Sequence, residues 1–388
     1  MRSLRRLISK VSRANRNAHA FARAMYTLEV PILANVVVTR RCNLSCSYCN
    51  QYDDVSPPVP ASTLKRRIEL LSQLGTLGIT FTGGEPLLHP DITTLVAEAR
   101  RHGAICTLNT NGYLLTPGLI EQLNKAGLDY LWISIDNATP DEASNKSLKV
   151  LDRKLQWLAK SATFHVTVNS VLGAGVRNPE DAHTIAQRAR ELGHKSTVGV
   201  IHGEGGQLIQ LGPQQQQVYT RIKSERKEGI FWFAHYDSFQ ENLMRGLHND
   251  WHCTAGGRFL YIGEDGLVSY CSQRRGEPGV PLEQYTTQMV VTEAAMNKPC
   301  APLCTINCVQ QVSYLDSIRA NPKGAIKKIV EQRRMFDPGF RAPLGLRILN
   351  SMFVEGKGSA LWTKAAIRAL GLRNRKSHMR APSLGPTQ

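Results

Sequence analysis

Between residue 31 and about residue 212 the apolar positions keep switching period. "ILANVVVTR" (32–40) is a β-branched run without helical spacing, which predicts a strand. "TLKRRIELLSQLG" (63–75) repeats apolar residues every three or four positions and ends on glycine, which predicts a helix. The pair recurs as "ITFTGG" (79–84) with "DITTLVAEARRHG" (91–103), where Asp91 is the expected cap. It recurs again as "AICTLNTNG" with "PGLIEQLNKAG", "YLWISID" with "SLKVLDRKLQWLAK", and "FHVTVNSVL" with "PEDAHTIAQRARELG". "STVGVIHG" (196–203) is the sixth strand. Strands alternating with helices imply a parallel sheet with crossover helices. Six units fall short of the eight that close a full barrel. The expected fold is therefore α/β, a partial (β/α)6 TIM-like barrel over 31–212.

The rhythm breaks after that. Residues 213–250 open with "PQQQQVYTRIKSERKEG", a polar connector expected to be helical. Residues 251–320 hold five cysteines and a hairpin pattern around Gly266. Residues 321–388 form a basic tail. Residues 1–30 repeat Leu4, Leu7, Ile8, Val11, Ala14, Ala18, Phe21 and Met25 at helical spacing, with Lys10 and arginines on the other face.

Charge sharpens this division. The chain nets +17 over 388 residues. Seven of its cations lie between Arg2 and Arg23 with no acid among them. From Lys323 to Arg380 there are 14 Lys and Arg against Glu331, Asp337 and Glu355. The middle is thus close to neutral, with a basic appendage at each end. Both ends carry basic amphipathic patterns, "ALWTKAAIRALGLRNRK" being the one in the tail. Such patterns read either as membrane-surface elements or as helices that dock their apolar side on the protein's own core. An anionic membrane surface is one candidate partner. No aromatic-studded basic groove is visible, so no nucleic acid is expected.

With 42% hydrophobic residues a packed core is expected rather than disorder. No apolar run reaches the ~18 residues that mark a spanning helix, and the start lacks the apolar stretch of a secretory signal. A cytoplasmic protein, peripheral at most to a membrane, is the expectation. The nine cysteines cluster at short spacings, which in such a chain reads as metal or redox chemistry rather than a disulfide framework.

Cys42, Cys46 and Cys49 in "RCNLSCSYCN" directly follow the first strand, at the end that carries chemistry in parallel α/β folds. Three thiolates can hold three corners of a cubane cluster and leave the fourth open. A structural zinc site needs four protein ligands, and only Cys106, inside an apolar strand, would be at hand. About thirty residues on, the second strand ends in "FTGGEP". There, Gly83 and Gly84 would let backbone approach a ligand that a Cβ would exclude, Glu85 can accept from an ammonium group, and Pro86 stiffens the exit.

C-x3-C-x2-C with Tyr48 before the last cysteine, joined to GGEP, resembles the radical S-adenosylmethionine (SAM) enzymes. The resemblance implies a [4Fe–4S] cluster on Cys42, Cys46 and Cys49 whose open iron is chelated by S-adenosylmethionine. It implies reductive cleavage to a 5′-deoxyadenosyl radical that abstracts hydrogen from a substrate. It implies cofactor contacts from Gly83, Gly84, Glu85 and Pro86, from Tyr48 beside the adenine, and from Thr110, Ser134 and Asn169 at the ends of later strands. A one-electron donor of the flavodoxin or ferredoxin kind is the implied partner. Turn chemistry and plain packing remain the competing readings of Thr110, Ser134, Asn169 and Tyr48. His202, Glu204 and Asp136 stand on the same rim as possible substrate contacts, and His89 with Pro90 reads as a turn.

The segment with Cys253, the hairpin, Cys271, and then Cys300, Cys304 and Cys308 resembles the twitch or SPASM extensions that hold auxiliary clusters. One auxiliary [4Fe–4S] cluster on Cys253, Cys271 and two of the last three is the implied set; the C-x3-C-x3-C ending departs from the usual pattern. The competing function is a non-catalytic zinc-binding interaction protein. The substrate is open to a peptide, a lipid or a small molecule.

Overall fold

The computed structural model of this chain describes residues 2–49, 51–173, 175–201, 208, 210–225, 238–336, 338–342 and 347. His202, Glu204 and the stretch 360–376 of the tail lie outside them.

Six strands appear where the β-branched runs predict them. They are β1 (Leu33–Thr39), β2 (Gly78–Gly83), β3 (Ile105–Thr110), β4 (Tyr130–Ser134), β5 (His165–Gly173) and β6 (Lys195–Ile201). Helices α2 (Ala61–Gln73), α3 (Ile92–Arg101), α4 (Pro117–Ala126), α5 (Leu148–Ser161) and α6 (Glu180–Glu191) connect them. All neighbours from β1 to β6 pair in parallel and in sequence order.

The two sheet faces differ. Val36, Phe81, Leu108, Leu131, Ile133 and Val168 are buried against Leu64, Ile68, Leu95, Leu123 and Leu155 of the helices. Each such side chain contributes about 1.5–3 kcal/mol by leaving water. Alternation sends the intervening residues to the opposite face. There the register sets Asn35, Thr80 and Thr107 side by side, then Asn109, Trp132 and Thr167, then Ser134, Asn169 and Thr197. The barrel is apolar outside, under its helices, and polar within.

The cysteine-rich segment extends this sheet. Strand β7 (Phe259–Ile262) pairs in parallel with β1, and β8 (Leu267–Ser269) and β9 (Pro278–Pro281) follow antiparallel. Gly266 takes the β7–β8 turn at φ +87°, where a Cβ would stand 2.8 Å from the Arg67 guanidinium. Arg67 of α2 is buried and donates to the carbonyls of Gly263 and Glu264 at 3.1 and 3.0 Å. The fully buried Arg258 donates to the carbonyl of Ala24 at 2.7 Å and pairs with Asp316 at 3.1 Å. Helices α7 (Pro213–Ser224) and α8 (Ser238–Met244) occupy the connector. Helices α9 (Thr287–Ala295), α10 (Asn307–Ala320) and α11 (Pro322–Phe336) complete the extension.

One local expectation changes. Asp91 stands at the start of α3, but its side chain makes no capping bond. His89 takes that work: its Nδ1 accepts from the Asp91 N–H at 3.1 Å, so its Nε2 donates to the Val59 carbonyl at 2.8 Å. His89 opens the expected turn, its carbonyl accepting from the Ile92 N–H at 3.2 Å, and its buried ring also ties that turn to the loop of Val59.

Helix α1 (Arg2–Tyr26) crosses the pole where the strands begin. Its docking side is the polar one. Ser9 and Arg13 donate to the Thr163 carbonyl at 3.1 Å, Arg16 pairs with the buried Asp129, and Asn17 donates to the Tyr130 hydroxyl at 2.5 Å.

Candidate active site

The loop after β1 is clamped at its base. The Cys42 N–H donates to the Asp53 carbonyl at 2.9 Å, and the Asp53 N–H donates to the Arg40 carbonyl at 3.0 Å. Arg40 bridges Asp53 and Glu264 of the β7–β8 turn. The loop can therefore present three cysteines with Cys46 buried, Cys42 half-buried and Cys49 exposed. Burial pushes the Cys42 thiol up, and the nearby Glu85, Cys46 and Cys49 add to this. Binding a metal would release those protons.

Strand β2 ends against this loop. The Gly84 N–H donates to the Thr39 carbonyl at 2.8 Å, and the Glu85 N–H donates to the Arg41 carbonyl at 2.9 Å. A Cβ on Gly83 would overlap the Thr39 backbone, and one on Gly84 would overlap the carbonyls of Arg40 and Arg41. The two glycines thus let β2 close on the cysteine loop.

Glu85 is fully buried. It accepts from Thr110 Oγ1 at 2.6 Å, from the Asn111 N–H at 2.7 Å and from the Leu87 N–H at 3.0 Å. Pro86 begins the 3₁₀ turn Pro86–Leu88 that Glu85 caps. Desolvation raises the pKa of Glu85 against these hydrogen bonds. Three of its about four acceptor positions are filled, so the carboxylate first of all ties β2 to β3, with Thr110 as its partner. Asn111, which sequence reasoning passed over, completes the tie. Its Nδ2 donates to Asn43 Oδ1 at 2.8 Å and lies 3.8 Å from Cys42 Sγ.

A second tie joins the cysteine loop to the loop after β4. The Tyr48 hydroxyl donates to Asp136 Oδ2, to which Ser144 Oγ also donates at 2.7 Å. Lys146 Nζ lies 2.9 Å from that same oxygen and 5.0 Å from the centre of the Tyr48 ring. Asp136 and Tyr48 together hold the Lys146 ammonium well above its usual pKa against desolvation, and burial raises the Tyr48 phenol. Ser144 Oγ is 3.5 Å from Cys46 Sγ, so the chain of contacts ends on a candidate ligand. Ser144 and Lys146 sit in a polar segment without periodicity and gave no sequence signal.

Beside this network lies a cavity of about 220 Å³ lined by Tyr48, Asp136, Asn137, Ser144, Val171 and Ile201, among others. Two of the lining residues carry a buried side-chain oxygen, Asp136 Oδ1 and Asn137 Oδ1, that has no hydrogen-bond partner among the described residues. Two orphaned acceptors, one of them on the Asp136 that Ser144 links to Cys46, fit a ligand that brings amine or hydroxyl donors. Ser134 and Asn169 are neighbours in register at the same strand ends, and Asn169 Oδ1 accepts from Thr197 Oγ1 at 3.0 Å.

In the extension, Cys253 and Cys271 are buried with Val37, Phe259 and Tyr261. Burial pushes the Cys253 thiol up to about 11, with Cys271 and Cys300 close enough to contribute. Cys304 is raised for the same reason, and it feels Cys271, Cys253 and Cys300. Cys308, at the start of α10, is pushed up to about 12 by burial, and Cys271 is the cysteine that contributes there. Cys106 lies apart, buried in β3 against the Val96 and Ala104 carbonyls. Among the described residues no three His, Cys, Asp or Glu side chains converge as the ligands of a single metal ion would.

A family model described as the radical SAM superfamily matches residues 36–208. The chain is similar to the PqqA peptide cyclase of Gluconobacter oxydans, 36% identical over 60% of this chain and 68% of that protein. It is similar to the probable GTP 3′,8-cyclase of Pyrococcus abyssi, 31% identical over 62% of this chain and 85% of that protein. Among solved structures, Streptococcus suis SuiB bound to S-adenosylmethionine matches with a TM-score of 0.53 at 16% identity over 75% of each chain. The structure of anSMEcpe with bound AdoMet matches with a TM-score of 0.50 at 15% identity, over 78% of this chain and 96% of that one. At these identities the two structures establish the shared fold, an α/β partial barrel.

Proposed function

This chain belongs to the radical SAM superfamily, whose members are enzymes that use a [4Fe–4S] cluster and S-adenosylmethionine, and from that premise we propose that Cys42, Cys46 and Cys49 hold the cluster and that the substrate is a peptide. The observation that carries the assignment is the juxtaposition of three cysteines on one loop with a cavity lined by Tyr48 of that loop and by Asp136 and Asn137, whose Oδ1 atoms have no partner among the described residues. When bound, the cluster and S-adenosylmethionine supply the electron and the radical that takes hydrogen from substrate.

The chain's own residues do the rest. Asn111 and Ser144 orient Cys42 and Cys46. Glu85 and Thr110 lock β2 and β3 so that the loop keeps its shape, and the remaining acceptor position of Glu85 is available to a cofactor amine. Gly83 and Gly84 allow the loop to close, and Pro86 sets the turn behind it. Asp136 and Asn137 accept from donors in the cavity. Tyr48, fixed through its hydroxyl by Asp136 and Lys146, forms one cavity wall. Ser134 and Asn169 line the polar interior where substrate approaches. Cys253, Cys271, Cys300 and Cys304 hold an auxiliary [4Fe–4S] cluster within a twitch-like extension over 251–320, a reading supported by the action of Cys271 and Cys300 on the Cys253 thiol and of all three on Cys304. An external one-electron donor completes the system.

The peptide reading is supported by likeness. PqqA peptide cyclases recur among the similar proteins, and SuiB has been solved bound to the precursor peptide SuiA.

The test is anaerobic turnover. The reconstituted, reduced chain should release 5′-deoxyadenosine from S-adenosylmethionine. Changing Cys42, Cys46 and Cys49 together to Ala should abolish release. Release that survives the triple change rejects the assignment.

A further inference from the structure

Helix α1 docks upside down for an amphipathic helix of a globular protein. Such helices ordinarily turn their apolar stripe to the core and their charges to water. Here Arg13, Arg16 and Asn17 face the barrel, as described above, and Arg6 donates to the Ala159 carbonyl at the end of α5. The apolar stripe is left outside: Leu7 and Ile8 are each 58% exposed, Val11 61% and Phe21 49%. Ala14 and Ala18 continue it, also exposed. A few residues beyond the helix Leu28 is exposed as well. A row of large apolar side chains held in water on a rigid, well-anchored helix marks a docking surface.

Its charge selects the occupant. The segment from Arg2 to Arg23 carries seven cations and no acid. Lys10, one turn from both Leu7 and Ala14, borders the stripe and is exposed, as are Arg6 and Arg23. Lys125 and Lys160, in the last turns of α4 and α5, are exposed on the same pole. A second copy of this helix, or the equally basic tail, would bring like charge against like charge. A surface that is apolar just beneath a layer of negative charge suits it: the interface of an anionic bilayer. Among the described residues no helix is long and apolar enough to cross a membrane, so α1 would lie in the interface plane.

We propose that the exposed stripe Leu7–Val11–Phe21 of α1 seats this enzyme on an anionic lipid surface, with the strand-start pole toward the membrane. The cysteine loop stands at the opposite pole and therefore faces away from the lipid. The inference does not rest on the assigned chemistry, because it uses only the packing of α1.

The test uses the full chain and vesicles of phosphatidylcholine with or without phosphatidylglycerol. The native protein should co-sediment with the anionic vesicles, weaken as salt rises, and ignore the neutral ones. The variant L7E/V11E/F21E should keep its circular dichroism and melting temperature, since these side chains support nothing inside, and should lose about tenfold or more of the bound fraction. Equal binding by native and variant would overturn the proposal and assign any lipid affinity to the tail. Absence of binding by the native chain at low salt would overturn it too. So would a native dimer that the variant converts to monomer without any vesicle binding, because the stripe would then be a contact between copies.

Discussion

The two cysteine groups of this molecule differ in how they are assembled and in what adjoins them. Cys42, Cys46 and Cys49 sit on one loop of eight residues, next to a cavity with unpartnered acceptors. Cys253, Cys271 and the group Cys300–Cys304–Cys308 come from three separate places in the chain; Cys253 and Cys271, with Cys308 at the edge, lie in an apolar cluster that includes Val37 from β1. Three donors beside an open space leave a coordination position to a ligand, whereas four donors packed in apolar surroundings close the site. The first arrangement suits chemistry on a bound molecule, and the second suits holding the fold or passing electrons.

The sharpest way to break that contrast is to count iron. The Cys42, Cys46, Cys49→Ala triple variant should retain roughly four irons per chain, the content of one cubane, in the second group. Adding Cys253→Ala or Cys304→Ala should remove them. Cys308→Ala should leave them in place, because Cys271, Cys253 and Cys300 all act on the Cys304 thiol whereas Cys271 is the cysteine that acts on Cys308. A triple variant that holds no iron, or holds zinc in its place, would end the comparison.

Removing Lys146 probes the polar tie of the first group. Lys146→Met leaves the buried Asp136 carboxylate without its cation, at a cost of about 3–5 kcal/mol. Beside the second group the buried cation is Lys298, which donates to the Met296 carbonyl at 3.0 Å and lies near Cys253 and Cys300, so Lys146→Met leaves that group untouched. Urea denaturation of the metal-free chain measures the loss directly, and a change below about 1 kcal/mol would show that Tyr48 and Ser144 suffice to hold Asp136.

Gly84→Ala comes next. The new methyl would overlap the Arg40 and Arg41 carbonyls, which cannot withdraw without opening the cysteine loop. Overpacking of this kind costs about 1–3 kcal/mol. Iron in the first group should fall while iron in the second stays, and parallel loss from both would mean that the two are not independent.

Much of this was legible beforehand, and the omissions have physical causes. The six strands declared themselves because both their period and their β-branched residues point one way. The motifs after β1 and β2 were legible because cysteine spacing is chemistry in itself. Strand β9 was not, because Pro278 and Pro281 cannot donate to a ladder and disguise an edge strand as a turn. The pairing of β7 with β1 joins residues more than two hundred positions apart and leaves no local trace. The stripe on α1 was visible, but periodicity only says that two faces differ. Which face docks was decided by guanidinium groups reaching carbonyls at helix ends and the buried Asp129. Glu85 stands out in the sequence by its motif, but its three internal partners come from the end of β3, the residue after it and its own turn, which residue type alone does not reveal.

The smallest effect is expected at Ser144, and it tests how the polar tie reaches the metal. Ser144 has one hydroxyl proton and two claimants, Asp136 Oδ2 at 2.7 Å and Cys46 Sγ at 3.5 Å. With Cys46 as a thiol, the proton belongs to Asp136 and the sulfur can donate its own. With Cys46 as a metal-bound thiolate, sulfur becomes an acceptor. Asp136 Oδ2 can then give up the serine proton, because Tyr48 and Lys146 already serve that oxygen. Ser144→Ala should therefore cost about 1 kcal/mol in the metal-free chain, the net worth of one hydrogen bond. In the loaded protein it should lower the reduction potential of the first cluster, since hydrogen bonds to ligand sulfur favour the reduced form. A redox titration followed by electron paramagnetic resonance reads the second effect separately from stability. An unchanged potential would mean that the serine proton stays on Asp136 in both states, and that the tie orients the loop without tuning the cluster.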